Sequence, residues 1–248
     1  MALPVVSTHS AISDRHEHDA LAPFLGGREH VTWDMPGWGR TEEPTAPWSP
    51  SGSLLALLDE RGLERCVLMG SSYGGLVSVE LALHAPERVA GLVLLAPALD
   101  IGGPDPEMDA FDDEEERLVD ADDMEGFAAL NIAFWAAGPR RSPDVVAPEV
   151  RSYLEGTLAR VAELQGDVDV PQEGLVDGVA ARLGTLRIPT LVVVGDEDAV
   201  RLQQCAEAYA DSLPMATLVE LRRVAHLPAL EAPERLGPHV ERFLAELP

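Results

Sequence analysis

Cys66-Val-Leu-Met-Gly-Ser-Ser72-Tyr-Gly-Gly-Leu-Val-Ser-Val-Glu-Leu-Ala-Leu-His84 joins a short apolar run to a helical pattern through a glycine-rich turn. The turn reads G-x-S-x-G from Gly70 to Gly74. Between a strand and a helix this spacing carries chemistry. A sharp turn forces its middle residue into a strained backbone, the flanking glycines leave room for it, and the Ser72 hydroxyl is lifted above the sheet at a helix N-terminus. A glycine-rich turn with an incidental serine shares the spacing but needs no partners elsewhere. A nucleophilic serine needs a base, and the base needs an orienting acid. Both types appear downstream in the order Ser, Asp, His. Val192 to Asp198 ends an apolar run in an acidic loop holding Asp196 and Asp198, and His226 follows the last apolar run. One helix and one strand fit between them, which returns both loops to the same sheet edge.

Working outward, six apolar or β-branched runs recur: Pro4–His9, His30–Asp34, Cys66–Ser71, Gly91–Pro97, Thr190–Gly195 and Thr217–Arg223. Near-continuous apolar runs suit parallel strands covered on both faces. Helical patterns fall at Glu17–Leu25, Ser51–Arg61, Tyr73–His84, Val200–Leu213 and Pro233–Leu247. The alternation predicts an α/β doubly wound, mostly parallel sheet. Residues 100–186 break the rhythm and are too long for one crossover. Helical patterns near Asp122–Ala137 and Pro148–Gln165, punctuated by Gly138–Pro139 and Val170–Pro171, make this interval an expected helical lid. The core is then 1–99 with 187–248. Asp100 to Glu125 holds thirteen carboxylates and one arginine, about half of the chain's net charge, and is expected to be the lid's solvated outer face. Phe127 and Phe134 share a helix face with Leu130, so this face is expected to roof an apolar pocket beside Trp135.

The chain resembles the α/β-hydrolase superfamily over nearly its full length outside the lid. Trp33-Asp-Met-Pro-Gly-Trp-Gly-Arg-Thr41 is similar to the D-x-P-G-x-G-x-S turn of that superfamily, Gly70–Gly75 to its nucleophile elbow, and Gly195–Asp198 to its G-x-x-D acid loop. Ala225-His226-Leu-Pro-Ala-Leu-Glu-Ala-Pro-Glu234 is similar to its G-H-x-x-x-x-E-x-P-E segment. The resemblance implies Ser72, Asp198 and His226 as catalytic residues, with Asp196 the second choice of acid. It implies an oxyanion hole from the N–H groups of Ala11, after the pair His9-Ser10, and of Tyr73. His9, Ser10, Phe127, Phe134, Trp135 and Leu227 are the expected pocket residues. His-Ser stands where the superfamily has His-Gly, and Ala225 where it has Gly. The resembled fold also begins with an antiparallel strand pair that this chain is expected to lack, and a homodimer would cover the exposed edge.

The composition narrows the partners. The 248 residues carry 43 Asp and Glu against 18 basic residues, all Arg, for a net charge of −25. Binding to nucleic acid or to an anionic membrane surface needs clustered cations and is not expected. With 46% hydrophobic residues, disorder is excluded as well. Neither a signal peptide nor a membrane-spanning run is evident, so a cytoplasmic protein is expected. Cys66 and Cys205 read as buried free thiols. His16-Glu17-His18-Asp19 lacks the spacing of a metal site, and neither metal nor organic cofactor is expected. The expected activity is cleavage of a small-molecule ester or lactone through an acyl-enzyme on Ser72. Two alternatives are C–C bond hydrolysis, acyl transfer or cyclisation on the same three residues, and a ligand-binding module with slow or no turnover.

Overall fold

A computed structural model describes residues 2–42, 44, 47–164 and 173–247. Six strands form one sheet: β1 (Val5–Thr8), β2 (His30–Trp33), β3 (Cys66–Ser71), β4 (Val89–Leu95), β5 (Thr190–Gly195) and β6 (Ala216–Leu221). Their order is β2-β1-β3-β4-β5-β6, and every adjacent pair is parallel. The helices are α1 (Pro50–Glu60), α2 (Tyr73–His84), α3 (Pro106–Asp120), α4 (Met124–Asn131), α5 (Pro148–Leu164), α6 (Val179–Arg182), α7 (Val200–Ser212), α8 (Pro228–Glu231) and α9 (Pro233–Glu246).

The period-two alternation of buried strands divides the core into two. Cys66, Leu68, Leu92, Leu94, Val192 and Val194 point to one face and pack with Leu54 and Leu58 of α1, Leu81 of α2 and Tyr209 of α7. Val67, Met69, Val93, Leu95, Leu191 and Val193 point to the other, where Leu21, Leu25 and the Leu236, Val240, Leu244 stripe of α9 cover them. Each fully buried leucine contributes about 2 kcal/mol by removing its surface from water. The strand order reverses between β1 and β3. The crevice beyond the carboxyl ends of those strands is where open α/β sheets bind ligands.

Five of the six predicted strands begin within one residue of their expected start. β4 starts two residues early, at Val89, directly after a 3₁₀ turn at Pro86–Arg88. The helix expected over Glu17–Leu25 is a shorter 3₁₀ segment, Asp19–Phe24, with Pro23 inside it.

The segment between β4 and β5 differs more. Its acidic part is not merely a solvated stretch; it forms α3, a fifteen-residue helix capped by Asp105, which accepts the Met108 N–H at 3.2 Å. Phe111 and Leu118, seven residues apart, anchor one side of α3. Asp123 caps α4, and the helix then widens into a π turn over Ile132–Ala137. α5 ends this layer, and Ile132, Ala136, Ala137, Leu154 and Leu158 pack there with Leu227. The punctuation at Val170–Pro171 and the last residue expected for α5, Gln165, lie outside the described residues. Among the described residues no helix is long and apolar enough to cross a membrane.

Candidate active site

Ser72 sits between β3 and α2 with φ 51° and ψ −116°, a backbone that L residues rarely adopt. The surroundings hold it there. The Ser72 N–H donates to the Leu95 carbonyl at 2.9 Å, and the Ser72 carbonyl accepts the Gly75 and Ala98 N–H groups, both at 3.0 Å. A Cβ on Gly70 would collide with the Gly74 carbonyl, and one on Gly74 with the Thr8 and His9 carbonyls. The glycines therefore let β1, β3 and α2 close onto one point.

His226 and Asp198 meet at the ends of β6 and β5. Asp198 Oδ2 lies 2.9 Å from His226 Nδ1, and both side chains are buried. The other carboxylate oxygen accepts the Ala199 N–H at 2.7 Å, which fixes the plane of the acid. Asp196 turns away and accepts the Arg223 N–H, tying the two loops together. The carboxylate at the histidine is thus Asp198. A donor on Nδ1 leaves His226 Nε2 as the basic nitrogen. Trp135, in the π turn, stacks over the imidazole at 4.6 Å between ring centres, and its carbonyl accepts the His226 N–H at 3.2 Å.

The loop after β1 is held from beneath. His9 is fully buried; its Nε2 accepts the Met35 N–H at 3.0 Å, so Nδ1 donates to the Ser10 carbonyl at 2.7 Å. Burial lowers the His9 pKa. The Trp38 indole donates to the Ala11 carbonyl at 2.6 Å, and Thr157 donates to the Ile12 carbonyl at 2.8 Å. Asp34 in the second turn accepts the N–H groups of Arg15 and Arg40.

Sequence reasoning missed a buried acid–histidine pair in this region. The 16–19 stretch places His16 on the surface against Asp19 but buries both Glu17 and His18. Glu17 Oε2 accepts the Ser10 N–H at 2.7 Å and the Ser13 hydroxyl. His18 Nε2 lies 2.9 Å from the hydroxyl of Ser71, the residue before the candidate nucleophile. Burial alone would raise the Glu17 carboxyl. His18, the Ser10 N–H and the Ser13 and Ser71 hydroxyls together outweigh it and hold the pKa below its ordinary value. Burial pushes His18 down to about 4 against the pull of Glu17. Among the described residues Glu17 Oε1 and His18 Nδ1 have no hydrogen-bond partner. Nothing in the local sequence marks the pair, because its partners come from β3 and from the loop after β1.

These loops enclose a cavity of about 370 Å³. Ser72, His226, Ser10, Ala11, Phe127 and Trp135 line it, together with Ile12, Phe111, Asp112, Glu115, Asn131, Leu158 and Val161. Three residues expected at the pocket stand behind the wall. His9 is committed to Met35 and Ser10. Phe134 packs between Phe111 and Trp135, and Leu227 is buried in the apolar layer under α5. Tyr73 opens α2 beside Ser72, with its ring against Trp38 at 6.2 Å. Asp112 and Glu115 correct the reading of the acidic segment as an outer face only: α3 turns both carboxylates to the cavity.

The carboxylate loop is also tied to α3. Arg201 at the start of α7 pairs with Asp105 at 3.0 Å, and Glu107 accepts the Val200 N–H at 3.0 Å. Arg140 bridges Glu107 at 3.5 Å and the Asp198 carbonyl at 2.6 Å.

Residues 6–237 match the model of the alpha/beta hydrolase family. The chain belongs to that family. This alpha/beta hydrolase is 26% identical to a pimeloyl-acyl-carrier protein methyl ester esterase of Pectobacterium carotovorum, across 90% of this chain and 85% of that protein. It is 25% identical to the 3-oxoadipate enol-lactonase 2 of Acinetobacter baylyi, across 86% of this chain and 78% of that protein. A thermophilic esterase from Thermogutta terrifontis superposes with a TM-score of 0.76 at 26% identity, covering 98% of this chain and 90% of that one.

The two departures noted in the sequence have local compensation in this alpha/beta hydrolase. Ala225 packs beside Gly138, whose φ of 92° and close approach to the Glu197 carbonyl call for a glycine and leave the Ala225 methyl without a side chain opposite it. The Ala225 N–H donates to Glu231 at 2.6 Å, and Arg141 holds Glu231 at 2.8 Å. Ser10, in place of glycine, is used by the Glu17 cluster.

Proposed function

We propose that this alpha/beta hydrolase is a serine hydrolase that cleaves a small ester or lactone through an acyl-enzyme on Ser72. The observation that carries the reading is the buried Asp198–His226 pair, 2.9 Å apart, facing a cavity that it shares with Ser72 on a strained turn. His226 Nε2 takes the Ser72 proton as the hydroxyl attacks the carbonyl carbon. The Ala11 and Tyr73 N–H groups receive the developing oxyanion. Asp198 keeps Nδ1 protonated and stabilises the imidazolium. His226 then protonates the leaving alcohol, and a water deprotonated by His226 hydrolyses the acyl-enzyme.

Two of the relatives support the substrate class, since one is an esterase by its name and the other a lactonase. A cavity of about 370 Å³ suits a small molecule. Residues 100–186 act as its lid, with Phe127 and Trp135 on the roof.

A fluorophosphonate probe followed by peptide mapping tests the reading. One adduct on Ser72, lost in Ser72→Ala, is expected together with turnover in a panel of short-chain esters and lactones. Absence of the adduct from intact protein overturns it. Turnover in ¹⁸O water separates hydrolysis from acyl transfer and cyclisation, because only hydrolysis puts label into the acid product.

A further inference from the structure

The cavity wall above Ser72 holds a carboxylate with no counter-charge. Glu115 on α3 is half-buried, and its Oε1 accepts the side-chain amide of Asn131 at 2.7 Å. Asn131 is 1% exposed and also donates to the Phe127 carbonyl at 3.1 Å, so a rigid group orients the acid. Asp112, one turn earlier on α3, also lines the cavity and is exposed. Among the described residues neither carboxylate makes an ion pair. The arginines of this layer are engaged elsewhere: Arg117 with Glu114, Arg160 with Glu163, Arg140 with Glu107, Arg141 with Glu231 and Arg151 with the Pro143 carbonyl. Among the described residues no arginine lines the cavity. Three aromatic rings, Phe111, Phe127 and Trp135, form the adjoining wall.

A carboxylate drawn out of water without a cation is costly, and aromatic faces attract cations rather than anions. Burial accordingly raises the Glu115 carboxyl, as it does Asp112 with the help of neighbouring acids. Among the described residues no three acid, histidine or cysteine side chains converge as a metal site, so the chemistry that fits is organic.

We propose that Glu115, held by Asn131 beside the aromatic wall, selects substrates that carry an ammonium group near the scissile ester or lactone carbonyl. This rests on the serine-hydrolase reading of Ser72 and His226. The cation completes the half-buried pair, whereas acidic substrates are repelled by both α3 carboxylates. A single charge pair at about 5 Å in a partly wet pocket corresponds to roughly tenfold in kcat/KM.

Two isosteric pairs test it. Butyrylcholine and 3,3-dimethylbutyl butyrate place the charge, or its carbon equivalent, on the alcohol side. The p-nitrophenyl esters of 4-(trimethylammonio)butanoate and 5,5-dimethylhexanoate place it on the acyl side. At least one charged member should be preferred by about tenfold. That ratio should collapse toward one in Glu115→Gln and persist in the exposed control Glu114→Gln. Protection of Ser72 from fluorophosphonate by choline, compared with 3,3-dimethylbutanol, reads the same preference without turnover. The proposal is overturned if the neutral members and the neutral protectant do as well in the wild type, or if Glu115→Gln keeps the ratio. Failure of the underlying reading looks different, because Ser72 would then take no fluorophosphonate at all.

Discussion

Replacing Glu17 by alanine removes the acceptor of the Ser10 N–H, one residue before the proposed oxyanion donor Ala11. In the native chain that N–H meets Glu17 Oε2 at 2.7 Å in a fully buried position. The Ser13 hydroxyl, which also uses Oε2, has a second neighbour in the Ser10 hydroxyl at 3.0 Å and can turn to it. The main loss is therefore one buried, unpaired N–H, about 2 kcal/mol, with a further ~1 kcal/mol for the space left by the side chain. Glutamine in the same place keeps a carbonyl for Ser10. It exchanges charge-assisted bonds for neutral ones, about 1 kcal/mol, and gains back part of that by no longer burying a charge. Thermal or urea unfolding should thus rank wild type above Glu17→Gln above Glu17→Ala. The two variants should differ by about 2 kcal/mol, or roughly 6 °C in Tm for a chain of this size. Steady-state kinetics on the best ester should show kcat falling at least ~10-fold in Glu17→Ala with little change in KM, since small displacements of a catalytic loop cost up to about 100-fold. The reasoning fails if Glu17→Ala melts with the wild type. It also fails if Glu17→Gln melts with or below Glu17→Ala, because the acceptor oxygen that only glutamine retains would then contribute nothing to holding the loop.

Asp198→Asn should lower kcat by about 10⁴ by reversing the histidine tautomer, whereas Asp196→Asn, which only loosens the Arg223 turn, should stay within about tenfold of the wild type. Gly74→Ala drives a methyl into the Thr8 and His9 carbonyls, so loss of fluorophosphonate labelling is expected; a normally labelled variant would show that the elbow tolerates the displacement. Acid should destabilise the fold early. His18 is depressed to about 4 and His9 is also lowered, so the unfolded chain binds protons that the folded chain refuses as pH falls below 6.5. Stability present at pH 7.5 is lost progressively toward pH 4, by ~3 kcal/mol from His18 alone. Urea midpoints at pH 7.5 and 5.0 check this, and His18→Asn should flatten the difference.

The parts of the fold legible in the sequence are those whose burial is set by one element at a time. β3, β4 and β5 are covered on both faces, so each reads as an unbroken apolar run. The elbow is legible because its glycines and serine fall in one short turn, although Gly74 makes its room for the Thr8 and His9 carbonyls of a distant strand end. Asp198 and His226 follow from chain order and the acid-loop pattern. What escaped depends on tertiary partners. The acidic density of residues 105–120 concealed a helix whose two anchors, Phe111 and Leu118, are too few to show a period. The π turn that brings Trp135 over His226 has no sequence mark. Glu17 and His18 stand out in the sequence only as part of a stretch without metal-site spacing, since their burial follows from Ser10, Ser13 and Ser71, one of them 53 residues away.

The ties between α3 and the start of α7 set a constraint on how the pocket fills and empties. A swing of α3 wide enough to enlarge the mouth must release Glu107 from the Val200 N–H and from Arg140. Arg140 also donates to the Asp198 carbonyl, so that same movement would withdraw an arginine from the loop that carries the proposed orienting acid.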